Sequence, residues 1–170
     1  MPSTGYITAV QAAYDALTGS NFPGGSRWPG PYLDEAPTTD GAGSQVRPPY
    51  VVLRDLGATP EWTFTANAGS GTPGQHALVV AEFVIEAHAL TLGDCDTAMA
   101  AILWNGAVPN NRAGVAFATF TLTTPLKGVS GPVPGKSQRG YAGKTDRTGA
   151  RVHYAKQWFK VKTAISGDGL

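Results

Sequence analysis

The chain has 170 residues, of which 42% are hydrophobic and only 15% are charged. An average soluble domain carries roughly 25% charged residues, so the low charge suits a single domain that hides surface in an assembly. One cysteine excludes an internal disulfide, and no run approaches the ~18 apolar residues of a membrane span. The start of the chain lacks a basic segment followed by an apolar stretch, so we expect a soluble protein that stays where it is made.

Charge is distributed unevenly along the chain. Residues 1–125 carry 4 basic and 10 acidic side chains, a net charge of −6, whereas residues 126–170 carry 9 basic and 2 acidic side chains, a net charge of +7. Such a chain can attract other copies head to tail, or place one sign of charge on the inner wall of a ring. Two solvated surfaces that differ by chance are the alternative.

The first half of the chain predicts a helix, a long arm and a hairpin. Apolar residues from Ile7 to Leu17 recur at helical spacing. Residues 19–48 are rich in Gly and Pro and predict an irregular arm. Strands are predicted at 50–53, 61–65 and 76–88, the last two joined by a glycine-rich tip. Odd-numbered residues of the strand at 76–88 predict a core face, whereas its other face, with Glu82 and Glu86, suits solvent or a partner subunit.

The second half begins with a helix predicted at 91–104, where Thr91 and Asp94 resemble a capping box. Strands follow at 115–124 and 151–165. They flank a second irregular arm at 125–149, which carries several basic residues. The predicted fold is α+β: one domain over 1–170, with an antiparallel sheet, two helices packed on one face of it, and two long arms.

Reactive side chains are few. Cys95 with His88 or His153 would pair a thiol with a base, but Cys95 shares an apolar helix face and is more typical of a core thiol. Glu82 and Glu86 are about 13 Å apart on one strand, too far for a glycosidase pair. We therefore predict no catalytic residue, no cofactor and no metal site.

Basic and aromatic side chains share one face of the strand predicted at 151–165. Lys156 and Lys160 alternate with Trp158 there. Sheets that bind single-stranded nucleic acid look similar, but lysine also protects exposed strands, so a solvent-exposed or inter-subunit face is the favoured interpretation. Exposed tryptophans such as Trp28, Trp62 and Trp158 would also suit a glycan-binding module, although core or interface anchors are commoner.

The order of features resembles the tail terminator, or tail completion, proteins of long-tailed bacteriophages. The similar features are a helix at 6–17, the Pro49-Tyr50-Val51-Val52 run that begins a strand, a hairpin strand ending in Glu86-Ala87-His88, a helix at 91–104 and two closing strands. The two arms are longer than is usual in that family. The resemblance implies a structural protein of the tail or neck of the virion, assembled in the host cytoplasm.

The resemblance also implies partners. Such a protein forms a hexameric ring that stops the polymerisation of the tail tube protein and meets the head–tail connector or stopper, and DNA passes through its lumen without sequence-specific binding. A tube or head-completion subunit is the nearest alternative. The residues predicted at a subunit or partner interface are Trp62, Glu82, Glu86, Lys136, Arg139, Lys144, Arg147, Lys156, Trp158 and Lys160.

Overall fold

The computed structural model describes residues 10–15, 17, 31–64, 75–103, 126–128 and 132–165. The first helix, α1, covers residues 10–15 and 17. The elements that follow are β1 (Tyr32–Leu33), β2 (Tyr50–Phe64), β3 (Gln75–Ala89), α2 (Leu92–Leu103), β4 (Leu126–Gly128), β5 (Val133–Thr145) and β6 (Arg151–Ile165). The strand predicted at 115–124 lies outside the described residues. No helix in the described ranges is long and apolar enough to cross a membrane.

The strands form one sheet in the order β1-β2-β3-β6. On the side of β6 away from β3, β4 pairs with the C-terminal end of β6. On that same side, β5 pairs with the part of β6 that precedes this end. All pairings are antiparallel except that of β1 with β2. The predicted hairpin is present, in register from Tyr50 opposite His88 to Phe64 opposite Gln75. The prediction of an α+β fold is confirmed.

One strand replaces the two that were predicted at 50–53 and 61–65. Within β2, a bulge shifts the register between Asp55 and Gly57. The Gly57 N–H donates to Asp55 Oδ1 at 3.0 Å, and Gly57 has φ 109°, a conformation that glycine adopts without strain. The gap between the two predicted strands is therefore absent, because the bulge carries the strand past Gly57.

The prediction of an irregular arm at 125–149 is wrong for most of that segment, because β4 and β5 occupy it. Two bulges in the β5–β6 pairing accommodate the glycine and proline residues of β5. They lie between Pro134 and Ser137 and between Tyr141 and Thr145. At the first bulge, the buried Gln157 amide donates to the carbonyls of Gly135 and Lys136, at 3.0 and 3.1 Å. The bulge carbonyls are therefore satisfied inside the sheet rather than by solvent.

A tight turn closes the β5–β6 hairpin. Asp146 Oδ1 accepts hydrogen bonds from the Thr148 hydroxyl and from the N–H groups of Thr148 and Ala150. The bond from the Thr148 side chain is the main reason that the pKa of Asp146 is lowered. Gly149 follows with φ 82°. This side-chain-to-backbone turn fixes β5 against β6 although β5 has no apolar alternation.

The hydrophobic core lies on one face of the sheet. It includes Phe83 and Ile85 of β3 with Phe159 of β6, all fully buried. Residues of both helices belong to the same cluster: Val10, Ala13 and Leu17 from α1, and Cys95, Ala98 and Met99 from α2. The predicted capping box begins α2, since the Asp94 N–H donates to Thr91 Oγ1 at 3.1 Å and the Thr91 hydroxyl donates to Asp94 Oδ2 at 2.8 Å.

Candidate interaction surface

The other face of the sheet is charged, and we call it the cationic face. Strand pairing places even-numbered residues of β3 and β6 on this face, beside Tyr50 and Arg54 of β2. Its charged members are Arg54, Glu82, Glu86, Lys136, Lys144, Lys156, Lys160 and Lys162. Six cations therefore share this face with two carboxylates, which gives it a net charge of +4.

Glu86 is the centre of the cationic face. Its side chain is 3% exposed, and its Oε1 lies 2.9 Å from Arg54 Nε and 2.8 Å from Lys156 Nζ. Burial alone would raise the pKa of Glu86, but hydrogen bonds from His88 and Lys156 and the charge of Arg54 outweigh it and lower the pKa to about 2. The carboxylate is therefore ionised at neutral pH and almost hidden from solvent.

His88 extends this network below an aromatic ring. Its Nε2 lies 3.1 Å from Glu86 Oε2, and because an ionised carboxylate can only accept, Nε2 carries the hydrogen. Tyr50 stacks on the imidazole with ring centroids 5.0 Å apart. His88 Nδ1 is buried and has no hydrogen-bond partner among the described residues. One buried nitrogen of the His88 ring is therefore left without a hydrogen-bond partner among the described residues.

Three aromatic rings on the cationic face each have a lysine ammonium in contact with them. Lys136 Nζ lies 4.6 Å from the Trp158 ring centroid. Lys156 lies 5.0 Å from that of Tyr154, and Lys144 lies 5.7 Å from that of Tyr50. Lys144 Nζ also donates to the Tyr50 hydroxyl at 3.0 Å. The cation–π contacts fix Lys136 and Lys156, at about 0.5–1 kcal/mol each at exposed sites, and they cover one side of the Trp158 and Tyr154 rings.

The structure brings seven of the ten predicted interface residues onto the cationic face: Glu82, Glu86, Lys136, Lys144, Lys156, Trp158 and Lys160. Arg139 lies on the helix side, where it forms a 2.8 Å ion pair with Asp96 of α2. Arg147 is exposed in the β5–β6 turn. Trp62 lies on β2 opposite Ala77, and its side chain is outside the description.

Sequence reasoning missed Arg54 and Tyr50, which complete the network around Glu86. The signal was present, because Tyr50, Val52 and Arg54 alternate along β2 on the face that carries Glu86 and His88 across the hairpin. The apolar run at 50–53 was interpreted as a buried strand without assigning its two faces.

Two borders of the sheet are open within the described residues. On one side, β1 covers only Val52 and Leu53 of β2; on the other, no strand pairs with the outer side of β5. Residues 31–59, along the β1–β2 border, contain four acidic and two basic side chains, whereas residues 133–149, along the β5 border, contain four basic and one acidic. The two borders thus differ in sign of charge.

The structure separates Cys95 from His88. Cys95 is fully buried in the core, and burial raises the pKa of its thiol to about 11. His88 lies on the opposite face of the sheet, so the two cannot act together. Within the described ranges, no three His, Cys, Asp or Glu side chains group as metal ligands would.

In comparisons with known proteins, the sequence matches no family model and no curated protein.

Proposed function

We propose that this chain is a structural subunit that assembles into a ring, as a tail terminator of a long-tailed bacteriophage. The observation that carries the proposal is the pair of open sheet borders of opposite charge, β1–β2 and β5. Ring formation needs two different surfaces on each subunit, because one surface of each copy meets the other surface of the next. Two unlike borders of one sheet meet that requirement.

The proposed contact uses main-chain groups that the described part of the chain leaves unpaired. An edge strand presents a row of N–H and C=O groups that can pair with another strand, which natural proteins protect unless a partner covers it. β5 has 13 residues, and most of its side chains are exposed. Its exposed apolar members, Val133 and Tyr141, are the kind of side chain that a neighbouring subunit would cover.

In this function the ring is a hexamer at the head-proximal end of the tail. It stops addition of tail tube protein and offers its other side to the head–tail connector. The order of helix, hairpin, helix and a closing strand is the feature of the fold that supports this proposal. A glycan-binding module is less well supported, because Lys136 covers one side of the Trp158 ring.

A charge-swap experiment tests the ring contact. One variant carries Lys136→Glu and Arg147→Glu at the β5 border, and a second carries Glu35→Lys and Asp55→Lys at the β1–β2 border. We expect each variant alone to remain monomeric, because like charges meet at every contact. A 1:1 mixture should form rings again, since alternating copies pair two unchanged or two reversed borders.

Light scattering after size-exclusion chromatography measures the assembly, and circular dichroism checks that each variant folds. Self-assembly through these borders is ruled out if the unaltered chain stays monomeric at several hundred micromolar. Electron microscopy then separates the two tail functions: a terminator stops at one ring, whereas a tube subunit stacks into filaments.

A further inference from the structure

The positive charge of the cationic face is directed to solvent, whereas much of its negative charge is not. Side chains of Arg54 and Lys160 are 42% and 61% exposed, and Lys136, Lys144 and Lys162 are exposed as well. Of the two carboxylates, Glu86 is buried beneath Arg54 and Lys156, and Glu82 is paired with Lys160. A ligand approaching this face therefore meets mainly ammonium and guanidinium groups.

A cleft continues this charge beyond the end of the face. It has a volume of about 150 Å³, and the cations that line it are Arg47, Lys144 and Arg147. The one carboxylate in its lining, Asp146, uses Oδ1 to hold the β5–β6 turn. The cleft is large enough for a single tetrahedral anion, and Lys144 joins it to the cationic face.

The aromatic rings on this face are not arranged for base stacking. A lysine Nζ stands over Trp158 and another over Tyr154, and the His88 imidazole stacks on Tyr50, so each of these groups would have to leave before a base could stack on that side. Proteins that bind single strands use open ring faces between their cations. Here the rings hold cations in place instead, so the face suits phosphate groups and not bases.

We propose that the cationic face, with its adjoining cleft, binds the phosphate backbone of duplex nucleic acid without regard to base sequence. Charge complementarity identifies the ligand: a duplex carries one negative charge per ~1.7 Å of its axis, and cations that neutralise phosphates release counterions. The strands of this face are 15 residues long in β2, β3 and β6, about 50 Å when extended. The inference does not rest on ring formation.

Fluorescence anisotropy with a labelled 20-base-pair duplex tests the proposal. The test variant carries Lys136→Gln and Lys144→Gln, which remove two charges from the cationic face. The matched control carries Arg139→Gln and Arg151→Gln. Those residues also lie on β5 and β6, but they contact Asp96 and Tyr141 on the helix side. Both variants lower the net charge of the chain by two, so net charge alone predicts that they lose the same amount of duplex affinity.

We expect the unaltered chain to bind two duplexes of unrelated sequence with similar affinity, and to bind more weakly as salt increases. The test variant should bind roughly tenfold more weakly at 50 mM salt, with a salt slope reduced by about 2, whereas the control should stay close to the unaltered chain. Binding that is confined to single strands would overturn the proposal.

Three further results would also overturn it: no binding at low salt, equal losses in the test and control variants, or displacement of the duplex by an equal charge concentration of poly-glutamate. The last would show a general surface for acidic polymers, including acidic proteins. These measurements are made with dilute protein, and chromatography reports the assembly state separately. Failure of nucleic-acid binding is therefore distinguishable from failure of the ring.

Discussion

The two faces of the sheet are both largely buried at their centres, yet they are held by different interactions. On the helix side, Phe83 and Phe159 stack with centroids 5.3 Å apart inside an apolar cluster. On the cationic face, the buried Glu86 is neutralised by Arg54 and Lys156, and the nearby Val52 and Val84 are buried. One face depends on packing, which is insensitive to pH and salt, and the other on charge, which is not.

This difference assigns the two faces different tasks. On the helix side, residues of α1 and α2 pack into the core on that face of the sheet. The cationic face has no helix over it among the described elements, so its charged groups remain accessible to a macromolecule. A face that binds through exposed charges must be stabilised by something other than a covering layer, and the network around Glu86 does this.

The largest loss of stability should come from a substitution on the helix side of the sheet. Phe83→Ala removes a fully buried ring from contact with Phe159, and we expect the free energy of unfolding to fall by about 3–5 kcal/mol, with the same loss at high and low salt. Urea denaturation measures it. Tyr141→Ala, at a side chain 44% exposed, is the control and should cost under about 1 kcal/mol. A loss for Phe83→Ala as small as the control's would mean that this cluster is not the core.

The next largest effect should come from Glu86→Gln. The folded-state pKa of about 2 lies below the ordinary value of 4.5, so the ionised carboxylate stabilises the fold by about 3 kcal/mol at pH 7. That contribution is complete above about pH 4.5 and is lost as the pH falls through the range from 4.5 to 2. The difference in unfolding free energy between the unaltered chain and Glu86→Gln should therefore shrink across this range.

Denaturation at pH 7, 4 and 3 measures this prediction, and Glu82→Gln is its control. Glu82 is 39% exposed and paired with an exposed lysine, so its loss should matter little at any of these pH values. A constant difference for Glu86→Gln from pH 7 to pH 3 would contradict the assigned pKa. The cationic face would then be held by packing, like the helix side.

The sequence predicted the helix side better than the cationic face, for a physical reason. Alternation along β3 and β6 marks a buried face directly, and the Thr91–Asp94 capping box is local in sequence. The cationic face depends on which residues lie opposite each other across strands. Arg54 and Lys156 meet Glu86 from two neighbouring strands, and no pattern within a single strand reveals that.

The second irregular arm was mispredicted for a related reason. β5 carries Gly and Pro and lacks apolar alternation, because it is an exposed edge strand held by its pairing with β6 and by two bulges. Local propensity describes the unpaired chain, whereas the buried Gln157 amide reaches the bulge carbonyls of β5 only once β6 is alongside. Edge strands of this kind are the elements for which tertiary pairing overrides sequence pattern.

The smallest effect should come from the exposed ion pair on the cationic face. Lys160 and Glu82 side chains are 61% and 39% exposed, so replacing both with glutamine should change the unfolding free energy by no more than about 1 kcal/mol, with the difference vanishing at 1 M salt. The double substitution leaves the net charge of the cationic face unaltered, so duplex binding should change far less than in Lys136→Gln/Lys144→Gln. A loss of stability that persists in high salt would show that the lysine stem packs on the sheet. A loss of duplex binding as large as that of the two-lysine variant would show that local geometry, and not net charge, recognises the phosphates.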